Sequence, residues 1–134
     1  MRKIRYIVIH CTATSHKTKV HSIENYWRTV LGWKNPGYHI LIESDGTMHY
    51  LTSFNNVTNG VKGFNRESIH IAYIGGQHQD DRTEMQKQGI ILAIKQALEY
   101  ASPNIPIIQG HRDFPNVAKA CPQFDAKIEY AYLR

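Results

Sequence analysis

Near its C-terminus the chain runs Gly110-His111-Arg112-Asp113-Phe114 and then Lys119-Ala120-Cys121-Pro122, placing an imidazole, an ammonium and a thiol in a loop with little apolar content. Imidazole nitrogen and thiolate sulfur are the preferred ligands of zinc. A third candidate lies far upstream, where His10 ends the apolar run Tyr6-Ile7-Val8-Ile9. Three protein ligands on separate elements leave a fourth position open to water, the arrangement of catalytic rather than structural zinc.

His10, His111 and Cys121 are therefore the candidate metal ligands. Zinc lowers the pKa of bound water to about 7 and polarises a carbonyl under attack, so hydrolysis of an amide or ester is the reaction class. No two of the three share a CxxC or HExxH spacing, and the same residues also admit bland roles. His10 would then be a satisfied strand-end residue, His111 a loop hydrogen-bonder and Cys121 a buried thiol. Alternation along a strand separates the two cysteines: His10 shares a face with Tyr6 and Val8, whereas Cys11 points the other way with Ile7 and Ile9. Cys11 reads as a small core residue, and no disulfide between Cys11 and Cys121 is expected. His39 and His70 lie inside strand-like runs and are expected to be hydrogen-bonded structural residues. His16, His21, His49 and His78 fall in loops or on the surface.

The elements that must position these residues are legible in the hydrophobic pattern. Tyr6–His10 is an apolar, β-branched strand suited to the centre of a sheet. Ile23, Tyr26, Trp27, Val30 and Leu31 make one helical stripe, with Ser22 as N-cap and Gly32 beyond the C-terminus. Tyr38–Ile42 reads as a strand, and Asp45-Gly46 marks a hairpin turn into Met48–Leu51. Residues 52–67 carry no period and read as a long loop. Ser68–Ile74 is another strand, ended by Gly75-Gly76. Thr83 and Gln86 have capping-box spacing ahead of a stripe of Ile90, Ile91, Ile94, Ala97, Leu98 and Ala101. Ile105–Ile108 is a short strand delivering His111, and residues 125–132 form a last short helix. Strands interleaved with helices predict an α/β fold: a single domain over residues 1–134 with a central mixed β-sheet flanked by helices and the zinc site at strand C-terminal ends.

The chain has 134 residues and a formal charge of +5. A basic balance favours a polyanionic partner, but the Lys and Arg residues are scattered without interleaved aromatics, against a nucleic-acid-binding protein. No run is long enough to span a membrane. The apolar stretch after Met1-Arg2-Lys3 is too short for a signal-peptide core, so delivery outside the cytoplasm is expected to use another route. The chain is expected to act as a monomer.

Several motifs in order carry a family resemblance. They are Ile9-His10-Cys11-Thr12-Ala13-Thr14; Gly32-Trp33 with Gly37-Tyr38-His39-Ile40-Leu41-Ile42; and Asp45-Gly46-Thr47. They continue with Lys62-Gly63-Phe64-Asn65 before a Ser68-Ile69 strand ending in Gly75-Gly76, and with the two C-terminal runs above. Together they resemble the type 2 N-acetylmuramoyl-L-alanine amidases, the family of phage amidase-type lysozymes and peptidoglycan recognition proteins, from the first strand to about Asp125. The resemblance implies that His10, His111 and Cys121 hold zinc and that Tyr38 and Lys119 are the active-site tyrosine and lysine. The implied reaction cleaves the amide between N-acetylmuramic acid and L-alanine in peptidoglycan. Lys119, two residues from a ligand, would face the developing oxyanion, and the Tyr38 hydroxyl would donate to it or to the leaving amine. Trp33 and Asn65 are the candidate substrate-binding residues, with core packing slightly favoured for Trp33. Asp113 would either hold the His111 ring or pair with Arg112. One departure stands out: many relatives place a histidine just before the Lys-Gly-aromatic-Asn turn, where this chain has Asn59-Gly60-Val61. The competing function is a muropeptide-binding module of the same fold without catalysis. The complete set of Tyr38, Lys119 and Cys121 favours the enzyme.

Overall fold

The computed structural model describes residues 1–134. Its centre is β1 (Tyr6–Cys11), which pairs in parallel with β4 (Ser68–Tyr73) on one side and β5 (Ile107–Gly110) on the other. Beyond β4 lie β2 (Ile40–Ile42) and the antiparallel β3 (Met48–Tyr50), giving a mixed five-stranded sheet of order β3-β2-β4-β1-β5. Parallel strands must be covered on both faces. Accordingly every residue of β4 and every residue of β1 after Tyr6 is buried.

The two faces differ in chemistry. One presents Ile7, Ile9, Cys11, Ile69, Ile71 and Tyr73 to α2 (Glu84–Ala101), which answers with Ile90, Ala93, Ile94, Ala97 and Ala101. The other carries Val8, His10, Leu41, His70 and Ala72. It is covered by α1 (Val20–Thr29) through Ile23 and Trp27, and by the loop residue Val61 with Phe114. Fully burying side chains of this size stabilises by roughly 1.5–3 kcal/mol each. The histidines are confined to the second face, so the apolar core and the polar site share one sheet back to back.

α2 begins with the capping box expected from Thr83 and Gln86. Gln86 also reaches across to the sheet: its Nε2 donates to the carbonyls of Ile42 at 3.1 Å and Ile74 at 3.0 Å, while Oε1 accepts from the Thr83 N–H. Gln86→Leu leaves the Ile74 carbonyl without a donor and the Thr83 N–H without its acceptor, while the Ile42 carbonyl keeps only the Ile74 N–H. It should cost about 2–4 kcal/mol of unfolding free energy, measured by urea denaturation.

Several expected boundaries move. Ser22 is not the cap of α1; the helix starts at Val20, with Lys19 in the capping position and no side-chain cap. Its buried face is narrower than the stripe, because the helix ends at Thr29. Tyr26, Val30 and Leu31 stay exposed. Gly32 takes the left-handed conformation (φ +68°) and lets the chain turn back, so that the Trp33 N–H donates to the Trp27 carbonyl. β5 lies two residues later than expected; Pro106 has no N–H to give a ladder, and Ile105 is exposed. The terminal helix α3 is one turn, Ala126–Glu129, followed by a 3-10 turn.

Candidate active site

The parallel register brings distant histidines together. Ile9 on β1 stands opposite Gly110 on β5, so His10 and His111 emerge side by side at the C-terminal ends of neighbouring strands, ring centroids 4.9 Å apart. The Asp113 carboxylate accepts the Gly110 N–H at 2.8 Å. It thus fixes the turn that carries His111; no bond joins it to the His111 ring. The Arg112 N–H then donates to the Cys121 carbonyl at 2.9 Å, folding the loop back on itself. The thiol arrives beside β1, where Cys121 Sγ accepts the Cys11 N–H at 3.1 Å. One ligand atom each from His10, His111 and Cys121 now lies within 4.8 Å of the others.

The electrostatics suit a cation at that point. Burial, together with His70, His111 and Lys119, drives His10 well below the ordinary imidazole range. Burial and the Lys119 ammonium take His111 down to about 4. Both rings are therefore neutral near pH 7, with a lone pair to offer. The neighbouring Cys11 thiol and burial push the Cys121 thiol up, so its ionisation calls for a compensating positive charge. Two neutral imidazoles and one thiol awaiting a counter-charge match the zinc donor set.

The three residues line a pocket of about 170 Å³ shared with Tyr38, Lys119, Trp27 and Trp33. Tyr38 packs on the His10 ring at 5.0 Å and donates its hydroxyl to the Cys11 carbonyl at 3.4 Å. Burial, then the two thiols, raise its pKa, so it keeps its proton and remains a donor. Lys119 sits on an exposed stretch of the same rim. The pocket joins a groove of about 780 Å³ that runs between residues 59–65 and 115–119, with Trp33 and His111 common to both. Trp33 is half-buried, stacked on Trp27 at 6.3 Å, and still faces both spaces. Asn65 lines the groove, but its amide oxygen is already engaged by the N–H groups of Gly60 and Val61 and by the His70 ring.

Residues that the sequence pattern did not connect surround His10. His70 Nδ1 lies 2.8 Å from His10 Nε2, and the His70 N–H donates to His39 Nδ1 at 3.0 Å. His39 Nε2 in turn meets the Asn56 carbonyl at 2.7 Å. The only signal in the sequence was a polar residue in the middle of each apolar run.

Buried His39 predicts an acid limit to stability. Burial lowers it to about 4, whereas the unfolded chain takes up the same proton near 6.5. Between those values the unfolded state binds more protons, so acidification favours unfolding. The stability from this group is complete above about pH 6.5, and up to about 3 kcal/mol of it is lost as pH falls to 4. His10 and His70 shift in the same direction. Urea midpoints at pH 7.5 and pH 4.5 should differ accordingly, and equal midpoints would contradict this reading.

A family model described as N-acetylmuramoyl-L-alanine amidase matches residues 1–124. The endolysin of Klebsiella phage KP32 is 30% identical over 128 residues, covering 90% of this chain and 82% of that protein. Among solved structures, the N-acetylmuramoyl-L-alanine amidase LysC from Clostridium intestinale superposes with a TM-score of 0.80 at 24% identity, over 98% of this chain and 86% of that one. The ectodomain complex of peptidoglycan recognition proteins LCa and LCx with tracheal cytotoxin gives 0.84 at 23% identity, over 98% and 84%. The last two share the fold. With the family model spanning nearly its whole length, the chain belongs to the N-acetylmuramoyl-L-alanine amidases and is a hydrolase of that class.

Proposed function

We propose that the chain is a zinc-dependent amidase that cuts peptidoglycan between the lactyl group of N-acetylmuramic acid and L-alanine of the stem peptide, in the manner of a phage lysin. The observation that carries this is the meeting of His10, His111 and Cys121 in one pocket, with Tyr38 and Lys119 on its wall and a groove leading from it. His10, His111 and Cys121 would hold the metal, which when bound would acidify a water and polarise the scissile carbonyl.

The chain's own groups supply the rest. As the carbonyl becomes tetrahedral, negative charge develops on its oxygen, and the Lys119 ammonium lies on the same rim to stabilise it. Tyr38, held in its protonated form, offers an O–H to that oxygen or to the departing amine. The groove between residues 59–65 and 115–119 has room for the stem peptide, with Trp33 at its junction with the pocket as a stacking surface for a sugar. No helix is long and apolar enough to cross a membrane. The net positive charge would concentrate the protein on anionic wall polymers.

The test is mass spectrometry of purified peptidoglycan incubated with the protein, with and without a zinc chelator. Chelator-sensitive release of free stem peptides beginning at L-alanine is the expected outcome. Intact muropeptides that nonetheless bind would make the protein a recognition module.

A further inference from the structure

We propose that His70, held in place by Asn65, is a positioning residue that fixes His10 as the Nε2–H tautomer and so presents the bare His10 Nδ1 to the ligand position. The inference rests on reading His10 as a metal ligand. It starts from two groups whose role cannot be exchanged. The backbone N–H groups of Gly60 and Val61 can only donate, and both point at one atom of Asn65, at 3.0 and 2.8 Å. That atom is therefore the amide oxygen rather than the amide nitrogen. The same oxygen lies 2.9 Å from His70 Nε2, so this nitrogen must carry hydrogen.

His70 is fully buried, and its ring meets Asn65, His10, Gly60 and the stacked His39 ring, none of them acidic. A ring in such surroundings carries a single proton. Its Nδ1 is thus an acceptor, and His10 Nε2, 2.8 Å away, must be the donor. The lone pair of His10 is left on Nδ1. One hydrogen-bond direction, set by two backbone amides, runs through Asn65 and His70 to settle which nitrogen of His10 can bind a cation. Ligand histidines commonly need such a partner for their other nitrogen.

Two further contacts make the relay rigid. The His39 Nδ1 accepts the backbone N–H of His70 and holds β4 at this point. At Gly60 a side chain would enter the space of the His70 ring, so the loop covers that ring with backbone alone. Without the His70 acceptor, the His10 ring could turn over or move its proton, and its lone pair would no longer be committed to the pocket.

The test reads the tautomer directly. In the full-length, chelator-treated protein labelled with 15N-histidine, long-range proton–nitrogen correlation should show His10 protonated on Nε2 and bare on Nδ1. His70→Leu should give a mixed or reversed His10 pattern and weaken zinc affinity roughly 10–100-fold in a competition titration. His70→Asn, whose amide oxygen can stand where Nδ1 stood, should recover most of both. Asn65→Leu should loosen the same pattern to a smaller degree. A wild-type His10 protonated on Nδ1 overturns the proposal, as does His70→Leu with unchanged tautomer and zinc affinity. If wild-type protein shows the expected tautomer yet takes up no zinc, the relay stands and the metal reading falls.

Discussion

Cys121→Ser is expected to give a folded protein that does not retain zinc after dialysis and hydrolyses the amide about 1,000-fold more slowly than wild type. A serine hydroxyl does not ionise at neutral pH and is a poor ligand for a borderline-soft cation, whereas thiolate is among the best. Folding should survive because the Cys11 N–H, which Sγ accepts at 3.1 Å, can be accepted by serine oxygen as well. The expected rate loss corresponds to about 4 kcal/mol of transition-state stabilisation, within the several kcal/mol that a Lewis acid supplies. Metal content by inductively coupled plasma mass spectrometry and hydrolysis by muropeptide release give the two readouts. Cys11→Ala is the specificity control. Its side chain belongs to the apolar core, so it should lose stability and keep the metal. A Cys121→Ser protein with one tightly held zinc would remove this residue from the ligand set.

Lys119→Ala should give the opposite separation: zinc content equal to wild type and a kcat reduced by about 100- to 1,000-fold. Lys119 is exposed, and its backbone belongs to no helix or strand, so its removal should leave the fold intact. Its ammonium nevertheless reaches the candidate ligand histidines electrostatically, lowering both His10 and His111. Charge that acts on the ligand rings also acts on an oxyanion formed beside them. Lys119→Arg keeps the sign but spreads it over a planar fork, and should fall between wild type and alanine. Measuring kcat and KM separately decides the matter, since a group that serves the transition state changes kcat. Unchanged kcat in Lys119→Ala would exclude the lysine from the chemistry.

Much of this molecule is written in local pattern. The strand Ser68–Tyr73 and the capped helix after Thr83 were legible because period and turn chemistry act over a few residues. So was the assignment of Cys11 to the core and His10 to the opposite face, which follows from strand alternation alone. The candidate ligands His10, His111 and Cys121 could be picked out by residue type, and their family motifs by order. Their meeting could not. It depends on Ile9 standing opposite Gly110 across more than a hundred residues of sequence, a pairing set by the sheet as a whole.

The same holds for the surroundings of the site. The sequence left Asp113 either holding the His111 ring or pairing with Arg112, yet its carboxylate accepts the Gly110 N–H, because the turn leaves that N–H within its reach. Asn65 belonged to a surface motif, and only the packed loop shows its amide oxygen shared by two backbone donors and His70. Residue types and short-range spacing determined which groups this protein has for chemistry and which face of each element they occupy. Tertiary structure alone decided which nitrogen meets which acceptor. Hydrogen bonds are specified to a few tenths of an ångström, and no one-dimensional period carries that information across the chain.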